Sequence, residues 1–156
     1  MYSIHAIDPS VVAQLLSADD AGNPPELSVD VEGGAPLRCC LRRAAPGDRI
    51  ALVAYEPLRR WAAAAGAEPG PYLERGPVFL HADGCTGPEV APSYLGTAHR
   101  VFRCYDRDGR ILGGRRIEPG EVHRAVFDEL FADPAVALVH VRAVEYGCFL
   151  YESRRV

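Results

Sequence analysis

Histidine and cysteine side chains near two strand ends are the residues of this chain best suited to chemistry. His81 and Cys85 stand four positions apart, across the end of a predicted strand and the turn after it. With His140 and Cys148, on a strand that could be a neighbour, they would form a Cys2His2 set for zinc. The spacing matches no established zinc motif, and free cysteines in a core-forming sequence act mostly as small buried hydrophobic residues. We therefore predict no metal site and no cofactor, and keep zinc as an alternative.

Nucleophilic catalysis is a second use for the same thiols. A cysteine becomes a nucleophile when a cation or a histidine lowers the thiol pKa below about 8.5. Cys85 lies in a predicted loop with His81 at its start, and Cys148 has His140 and Arg142 near it in sequence. No recognised nucleophile motif surrounds either cysteine, so a thiol without function is the competing interpretation.

The segment Val136–Arg155 gives the clearest strand signal, because apolar and polar residues alternate in it. Successive side chains of a strand point to opposite faces, so His140 and Arg142 should share one face, with Val139 and Val141 on the other. The planar guanidinium of arginine suits a carboxylate or a phosphate. This face is therefore predicted to bind an anionic or polar small molecule.

Other polar side chains are predicted to line the same site. His99, Arg103 and Tyr105 alternate within a strand predicted from Ala98 to Asp106 and should share one face. Solvent-facing positions of any antiparallel sheet are polar, so an ordinary wet face is the competing interpretation. The predicted catalytic residues are His81, Cys85, His140 and Arg142, and the predicted substrate-binding residues are Arg103, His99, Tyr105 and Cys148.

Composition excludes several classes of protein. The 17 basic residues, all arginine, face 21 acidic ones, which gives a net charge of −4 and argues against a nucleic-acid partner. The N-terminus has no basic region followed by an apolar one, and no apolar run reaches the ~18 residues of a membrane span. Five cysteines, an odd number, indicate free thiols. We expect a cytoplasmic protein with no membrane partner.

Strand and helix patterns predict an α+β fold of one domain, residues 1–156. A helix is predicted over Glu121–Ala132, where Val122, Val126 and Leu130 with Phe127 and Phe131 would supply the buried face, and a short N-terminal helix, opened by Pro9 or Ser10, over Val11–Leu16. The remaining elements are mostly strands joined by turns, among them a type I′ turn at Asp108-Gly109. They predict a largely antiparallel sheet, curled or forming a partial barrel.

Two further segments bear on the candidate site. Leu37–Arg42 alternates as a half-buried strand would, which places Cys39 inward and Cys40 outward. Cys85–Gly96 is rich in glycine and proline and is predicted to be a loop.

Four segments together resemble a bacterial family of unknown function, domain of unknown function 1203. The resemblance covers most of the chain and implies a single domain, but no activity. Where this resemblance leads us to expect asparagine after the His-x-Arg of the last segment, the chain has Ala143. The segments are PLRCCLRRAAPGD (Pro36–Asp48), PYLERGPVFLHADGC (Pro71–Cys85), RCYDRDGRILGG (Arg103–Gly114) and LFADPAVALVHVRAVEYGCF (Leu130–Phe149).

No dinucleotide-binding, P-loop or serine-hydrolase motif occurs in the chain. The sequence thus predicts a small protein that binds a polar or anionic small molecule. Whether it is an enzyme stays open; if it is, it would be a cofactor-independent tailoring enzyme of bacterial metabolism that uses histidine, cysteine and arginine. The alternative is a non-catalytic partner or regulatory protein acting through protein–protein contacts. The oligomeric state is not predicted.

Overall fold

The computed structural model describes residues 1–89 and 98–156, so part of the predicted loop Cys85–Gly96 lies outside the described residues. The chain divides into two compact units. The first comprises Met1–His5, Glu56–Glu74 and Gly96–Val156, and the second comprises Ala6–Tyr55 and Arg75–Leu95. That residues 1–156 form one domain stays a prediction.

The described elements confirm the α+β class. The helices are α1 (Pro9–Ser17), α2 (Pro57–Ala65) and α3 (His123–Leu130), with a 3-10 helix at Gly70–Tyr72. The strands are β1 (Tyr2–His5), β2 (Glu26–Asp30), β3 (Pro36–Leu37), β4 (Arg42–Arg43), β5 (Asp48–Tyr55), β6 (Gly76–His81), β7 (Arg100–Tyr105), β8 (Ile111–Ile117), β9 (Leu138–Arg142) and β10 (Phe149–Arg155). No helix of the described residues is long and apolar enough to cross a membrane.

The first unit contains an open antiparallel sheet in the order β1-β10-β9-β7-β8. Helix α3 packs on one face through Phe127, whose ring lies 5.0 Å from that of Phe102. Helix α2 packs on the other face, where Trp61 joins Tyr105 and Leu138 in one apolar cluster. Both faces of the sheet are therefore covered at its centre, where every residue of β9 is buried, whereas the edge strand β8 is mostly exposed.

The second unit contains a second open sheet in the order β2-β5-β6-β3-β4. All its strand pairs are antiparallel except β3 with β6, which run parallel and place Leu37 opposite Phe79. The described strands thus form two open sheets, where the sequence predicted one curled sheet or a partial barrel. Strand β2 is an edge strand that exposes Leu27 and Val29.

The predicted bounds of the main helix are wrong at both ends. Helix α3 begins at His123, because Val122 has extended backbone angles at the N-cap position. Phe131 occupies the C-cap, so the helix ends at Leu130. The short N-terminal helix begins at Pro9, one of the two residues predicted to open it, and the side chain of Asp8 accepts a hydrogen bond from the backbone of Ser10 there. It ends at Ser17, one residue later than predicted.

The turn between β7 and β8 also differs from its prediction. A type I′ turn needs positive φ at both central residues, and here φ is positive at Gly109 but not at Asp108. The N–H of Gly109 donates to the carbonyl of Asp106, and the carboxylate of Asp106 accepts from the N–H groups of Asp108 and Arg110. The Asp106 side chain thus stabilises a longer hairpin loop.

The prediction of one strand over Leu37–Arg42 is wrong. The chain leaves the sheet after Leu37 and turns back, with the N–H of Leu41 donating to the carbonyl of Leu37, before β4 begins. Leu41 has φ of 57°, a conformation that a branched side chain rarely adopts. The turn buries both Cys39 and Cys40, so the prediction that Cys40 points outward is also wrong.

Candidate functional site

Polar side chains form a row across the first sheet, at one level of the strands. Residues opposite each other in neighbouring strands point to the same face. His5 pairs with Glu152, Glu152 with His140, and His140 with Arg103. Arg142 also lies on this face, two residues after His140. The prediction that His140 and Arg142 share a face with Arg103 is confirmed by the register.

This face is buried, unlike an ordinary wet sheet face. His140 is fully inaccessible to solvent, and its ring makes edge contacts with Tyr105 and Phe149 at 4.8 and 5.1 Å between centroids. Its Nε2 lies 3.3 Å from Oε2 of Glu152. Burial lowers the pKa of His140, which keeps the imidazole neutral, although the nearby Glu152 carboxylate acts in the opposite direction.

Glu152 is the carboxylate at the centre of the row. Burial on its own would raise the pKa of Glu152, but His140 and Arg154 beside it bring that pKa below its usual value. The Nε of Arg154 donates to Oε1 of Glu152 at 2.6 Å. The carboxylate is therefore ionised at neutral pH, next to a neutral imidazole and a guanidinium.

Two guanidinium groups at the end of this row hold one carboxylate. Nη1 of Arg103 lies 2.8 and 2.9 Å from the two carboxylate oxygens of Glu74, and Nη2 of Arg142 lies 2.7 Å from one of them. Arg142 also donates from Nη1 to the carbonyl of Gly147. Its Nε is buried and makes no hydrogen bond within the described part of the chain. Sequence reasoning missed Glu74, because it lies outside the described strands and no pattern in its segment indicates a site.

Of the other predicted substrate-binding residues of this unit, Tyr105 lies on the same face, where its ring contacts His140 and packs in the cluster with Trp61. His99 and Cys148 have separate surroundings, and His99 pairs with the exposed Glu145. Cys148 is partly exposed just before β10, and its thiol approaches the carbonyl of Tyr146. The structure thus brings Arg103, Tyr105, His140 and Arg142 onto one face, and their roles in binding or catalysis stay predictions.

Three histidines, of which His123 and His140 are buried and His5 is partly buried, lead us to expect that acid destabilises the protein. Burial lowers the pKa of His5, His123 and His140, so the fold favours their neutral forms. The unfolded chain takes up protons near pH 6.5, and stability present above that pH is lost as pH falls below it. We expect the free energy of unfolding to decrease between pH 7.5 and pH 5.5, by up to ~1.4 kcal/mol per pH unit for each proton taken up.

Urea unfolding at constant ionic strength across this range measures the effect. The slope should be smaller in His140→Gln, which removes one of the three groups. A stability that is constant or rises on acidification would contradict the assignment of neutral buried histidines.

A cluster of three thiols and one imidazole lies in the second unit. The turn after β3 carries Cys39 and Cys40, the end of β6 carries His81, and the following turn carries Cys85. One donor atom from each residue, a sulfur or a ring nitrogen, lies within 4.8 Å of the other three. His81 and Cys85 were predicted from the sequence, and Cys39 and Cys40 were missed because their turn was interpreted as a strand. Such donors could hold a metal ion.

The thiols of Cys39 and Cys40 differ in acidity. A hydrogen bond from Cys39, with His81 and Arg42 close by, lowers the pKa of Cys40. The same interaction, together with burial, raises the pKa of Cys39. Cys40 is therefore the more acidic of the two thiols.

The imidazole of His81 has a different partner on each nitrogen. Nδ1 lies 3.5 Å from Sγ of Cys39 and 3.9 Å from Sγ of Cys40. Nε2 lies 3.4 Å from a guanidinium nitrogen of Arg42 and 3.8 Å from a carboxylate oxygen of Asp48. One edge of the ring thus faces sulfur and the other faces charged groups.

Comparison with known proteins identifies the family and no activity. Residues 34–155 match the family described as protein of unknown function (DUF1203). Because the match covers most of the chain, the chain belongs to this family, as the resemblance predicted. No curated protein and no solved structure matches the chain.

Proposed function

We propose that the protein binds a small oxyanion, a carboxylate or a phosphate, at the paired guanidinium groups of Arg103 and Arg142. The observation that supports this most directly is the contact of both groups with the carboxylate of Glu74. Arginine pairs of this kind bind planar carboxylates and phosphates through several charged hydrogen bonds. The protein's own carboxylate serves as an internal example of the ligand.

The local charge favours an added anion. Two guanidinium groups face one carboxylate, which leaves one positive charge in excess at this point of the sheet. Arg142 is more than nine-tenths buried, and its Nε has no hydrogen-bond partner among the described residues. An unsatisfied buried donor costs about 1–3 kcal/mol, and a ligand with more oxygen atoms than one carboxylate can satisfy it.

Glu74 is the part of the site that can move aside. Its side chain is 44% exposed, and it lies two residues after the 3-10 helix rather than within a helix or strand. An external oxyanion would take its place, and the carboxylate of Glu74 would return to water. Binding then replaces the carboxylate of Glu74 by the oxyanion of the ligand, so a dianion gains the most binding free energy.

Catalysis at this face would use the neighbouring imidazole. His140 is opposite Arg103 in the adjacent strand, is neutral, and has the carboxylate of Glu152 beside its Nε2. A neutral imidazole next to a carboxylate is the arrangement of a general base. We therefore propose acid–base chemistry as the reaction class. The substrate would be a carboxylate or phosphate metabolite of the cytoplasm, bound at this face.

Removal of the internal carboxylate tests the site. In Glu74→Gln, we expect inorganic phosphate and succinate to bind at least about 10-fold more tightly than in the wild type, because the competing charge is gone. The measurements are calorimetric titration and the ligand-dependent melting temperature at constant ionic strength. Sodium chloride serves as the control for general salt effects.

Two variants make the test specific. Glu74→Gln combined with Arg142→Met should lose the added affinity. Glu129→Gln removes a carboxylate that pairs with Arg115 elsewhere in the same unit, and it should leave phosphate binding unchanged. Equal affinity in Glu74→Gln and the wild type, or the same gain in Glu129→Gln, would exclude the proposed site.

A further inference from the structure

The donor atoms of Cys39, Cys40, His81 and Cys85 have the spacing of a tetrahedral zinc site. Bond lengths of ~2.3 Å to sulfur and ~2.0 Å to nitrogen place a nitrogen and a sulfur ligand ~3.5 Å apart, and two sulfur ligands ~3.8 Å apart, around a tetrahedral ion. The observed separations between His81 Nδ1 and the sulfurs of Cys39 and Cys40 are 3.5 and 3.9 Å. All four donor atoms lie within 4.8 Å of one another. Little movement is needed to surround an ion.

Backbone N–H groups already point at two of the sulfur atoms. The N–H of His81 lies 3.4 Å from Sγ of Cys39, and the N–H of Gly87 lies 3.5 Å from Sγ of Cys85. Donors of this kind stabilise negative charge on sulfur, and they orient a ligand from outside the coordination shell. They are an observation independent of the cysteine spacing.

The imidazole of His81 has a carboxylate near its Nε2, at a separation longer than a hydrogen bond. Its Nδ1 faces the sulfurs, and its Nε2 is 3.8 Å from Oδ2 of Asp48. A metal-bound histidine usually directs its other nitrogen toward a carboxylate, which fixes the ring and raises its basicity. Asp48 is itself fixed by the N–H of Ala45, which donates to Oδ2 at 2.8 Å.

The charge balance also suits a divalent ion. Zinc with three thiolates carries a net charge of −1, and the guanidinium of Arg42 lies next to the cluster, 3.4 Å from Nε2 of His81. Thiolate and imidazole donors select zinc over magnesium or calcium, which require oxygen donors.

The backbone brings the ligands together with local strain. Leu41, directly after the cysteine pair, is the described non-glycine residue with positive φ. Parallel pairing of β3 with β6, and a hydrogen bond from the N–H of Arg38 to the carbonyl of Phe79, hold the cysteine turn beside His81. A strained backbone conformation of this kind persists only where the surrounding structure holds it in place, and such positions are common at ligand sites.

We propose that Cys39, Cys40, His81 and Cys85 bind one zinc ion in a Cys3His site. Four protein ligands complete the tetrahedral shell, so the ion is structural and joins the turn after β3 to the turn after β6. The site is independent of the proposed oxyanion site, because all of its ligands belong to the second unit and Arg103 and Arg142 belong to the first.

Metal analysis of the full-length protein tests the proposal directly. We expect about one equivalent of zinc after purification in reductant without chelator, followed by reconstitution with zinc and dialysis. In wild-type protein reconstituted with cobalt, we expect a thiolate-to-cobalt charge-transfer band in the near ultraviolet and the visible bands of tetrahedral cobalt. Removal of the zinc with a strong chelator should lower the melting temperature.

A matched pair of cysteine variants assigns the ligands. Cys85 and Cys148 are both partly exposed, and only Cys85 belongs to the cluster. In competition with a chromophoric chelator, Cys85→Ser should bind zinc at least about 100-fold more weakly, whereas Cys148→Ser should match the wild type.

Three results would overturn the proposal. The first is less than a tenth of an equivalent of zinc in reconstituted wild-type protein. The second is cobalt-loaded wild-type protein without a thiolate charge-transfer band, which requires no variant to fold. The third is a full equivalent of zinc held with unchanged affinity by Cys85→Ser.

Discussion

Glu152→Ala is expected to lower the free energy of unfolding by about 3 kcal/mol, because it removes a buried carboxylate that contacts two polar side chains and leaves a cavity in its place. Glu152 is 4% exposed and lies between His140 and Arg154. Its loss leaves the fully buried imidazole of His140 without a partner for Nε2, and it leaves a cavity the size of a carboxyethyl group. Arg154 is partly exposed, so its guanidinium can regain water. The measurement is urea unfolding at pH 7.5.

A carboxylate on the surface of the same unit provides the control. Glu129 also pairs with an arginine, Arg115, but its side chain is 66% exposed. Surface ion pairs contribute ~0–1 kcal/mol, so Glu129→Ala should change stability by well under 1 kcal/mol. If Glu152→Ala loses no more than Glu129→Ala, the row across the first sheet does not stabilise the fold.

A double variant separates the effect of the buried polar pair on stability from the effect of the cavity. Replacement of a whole buried pair by apolar residues of similar volume is often neutral or stabilising. We therefore expect Glu152→Leu with His140→Leu to recover most of the stability that Glu152→Ala loses. The same double variant removes the proposed general base. It therefore also tests whether these polar groups are needed for stability or only for chemistry.

The face shared by His140 and Arg142 was predictable, and its burial was not. The two-residue period of a strand settles which side chains point together, and register then adds Arg103. Whether a face meets water depends on what packs against it, here Trp61 of α2, which lies far away in sequence. Glu74 was missed for the same reason, because nothing in its own segment indicates two arginines as partners.

The cysteine cluster was half predicted. The spacing of His81 and Cys85 pointed to a pair of ligands, but it led to His140 and Cys148, which belong to the other unit, as partners. To find Cys39 and Cys40, one would have to predict a turn with positive φ at Leu41. The apolar alternation of this segment favours a strand instead. One would also have to predict the parallel pairing of β3 with β6, and a two-residue strand is too short to give a sequence signal.

Phe127→Ala is expected to lower the free energy of unfolding by ~3–5 kcal/mol, the range for loss of a fully buried phenylalanine. Phe127 is inaccessible to solvent and lies 5.0, 5.4 and 6.3 Å, between ring centroids, from Phe102, Tyr2 and Tyr151. The change removes the contact through which α3 covers one face of the sheet and opens a large cavity there.

The sequence assigned Val122 to the same buried face, which makes it the matched control. Val122 precedes α3 and is 65% exposed, so the prediction that it is buried is wrong. Val122→Ala should therefore change stability by about 0.5 kcal/mol or less, as at other surface positions. Equal losses in Phe127→Ala and Val122→Ala would mean that the helix begins earlier and packs through the face predicted from periodicity. A large loss in Phe127→Ala alone would mean that α3 begins after Val122 and packs on the first sheet through its aromatic residues.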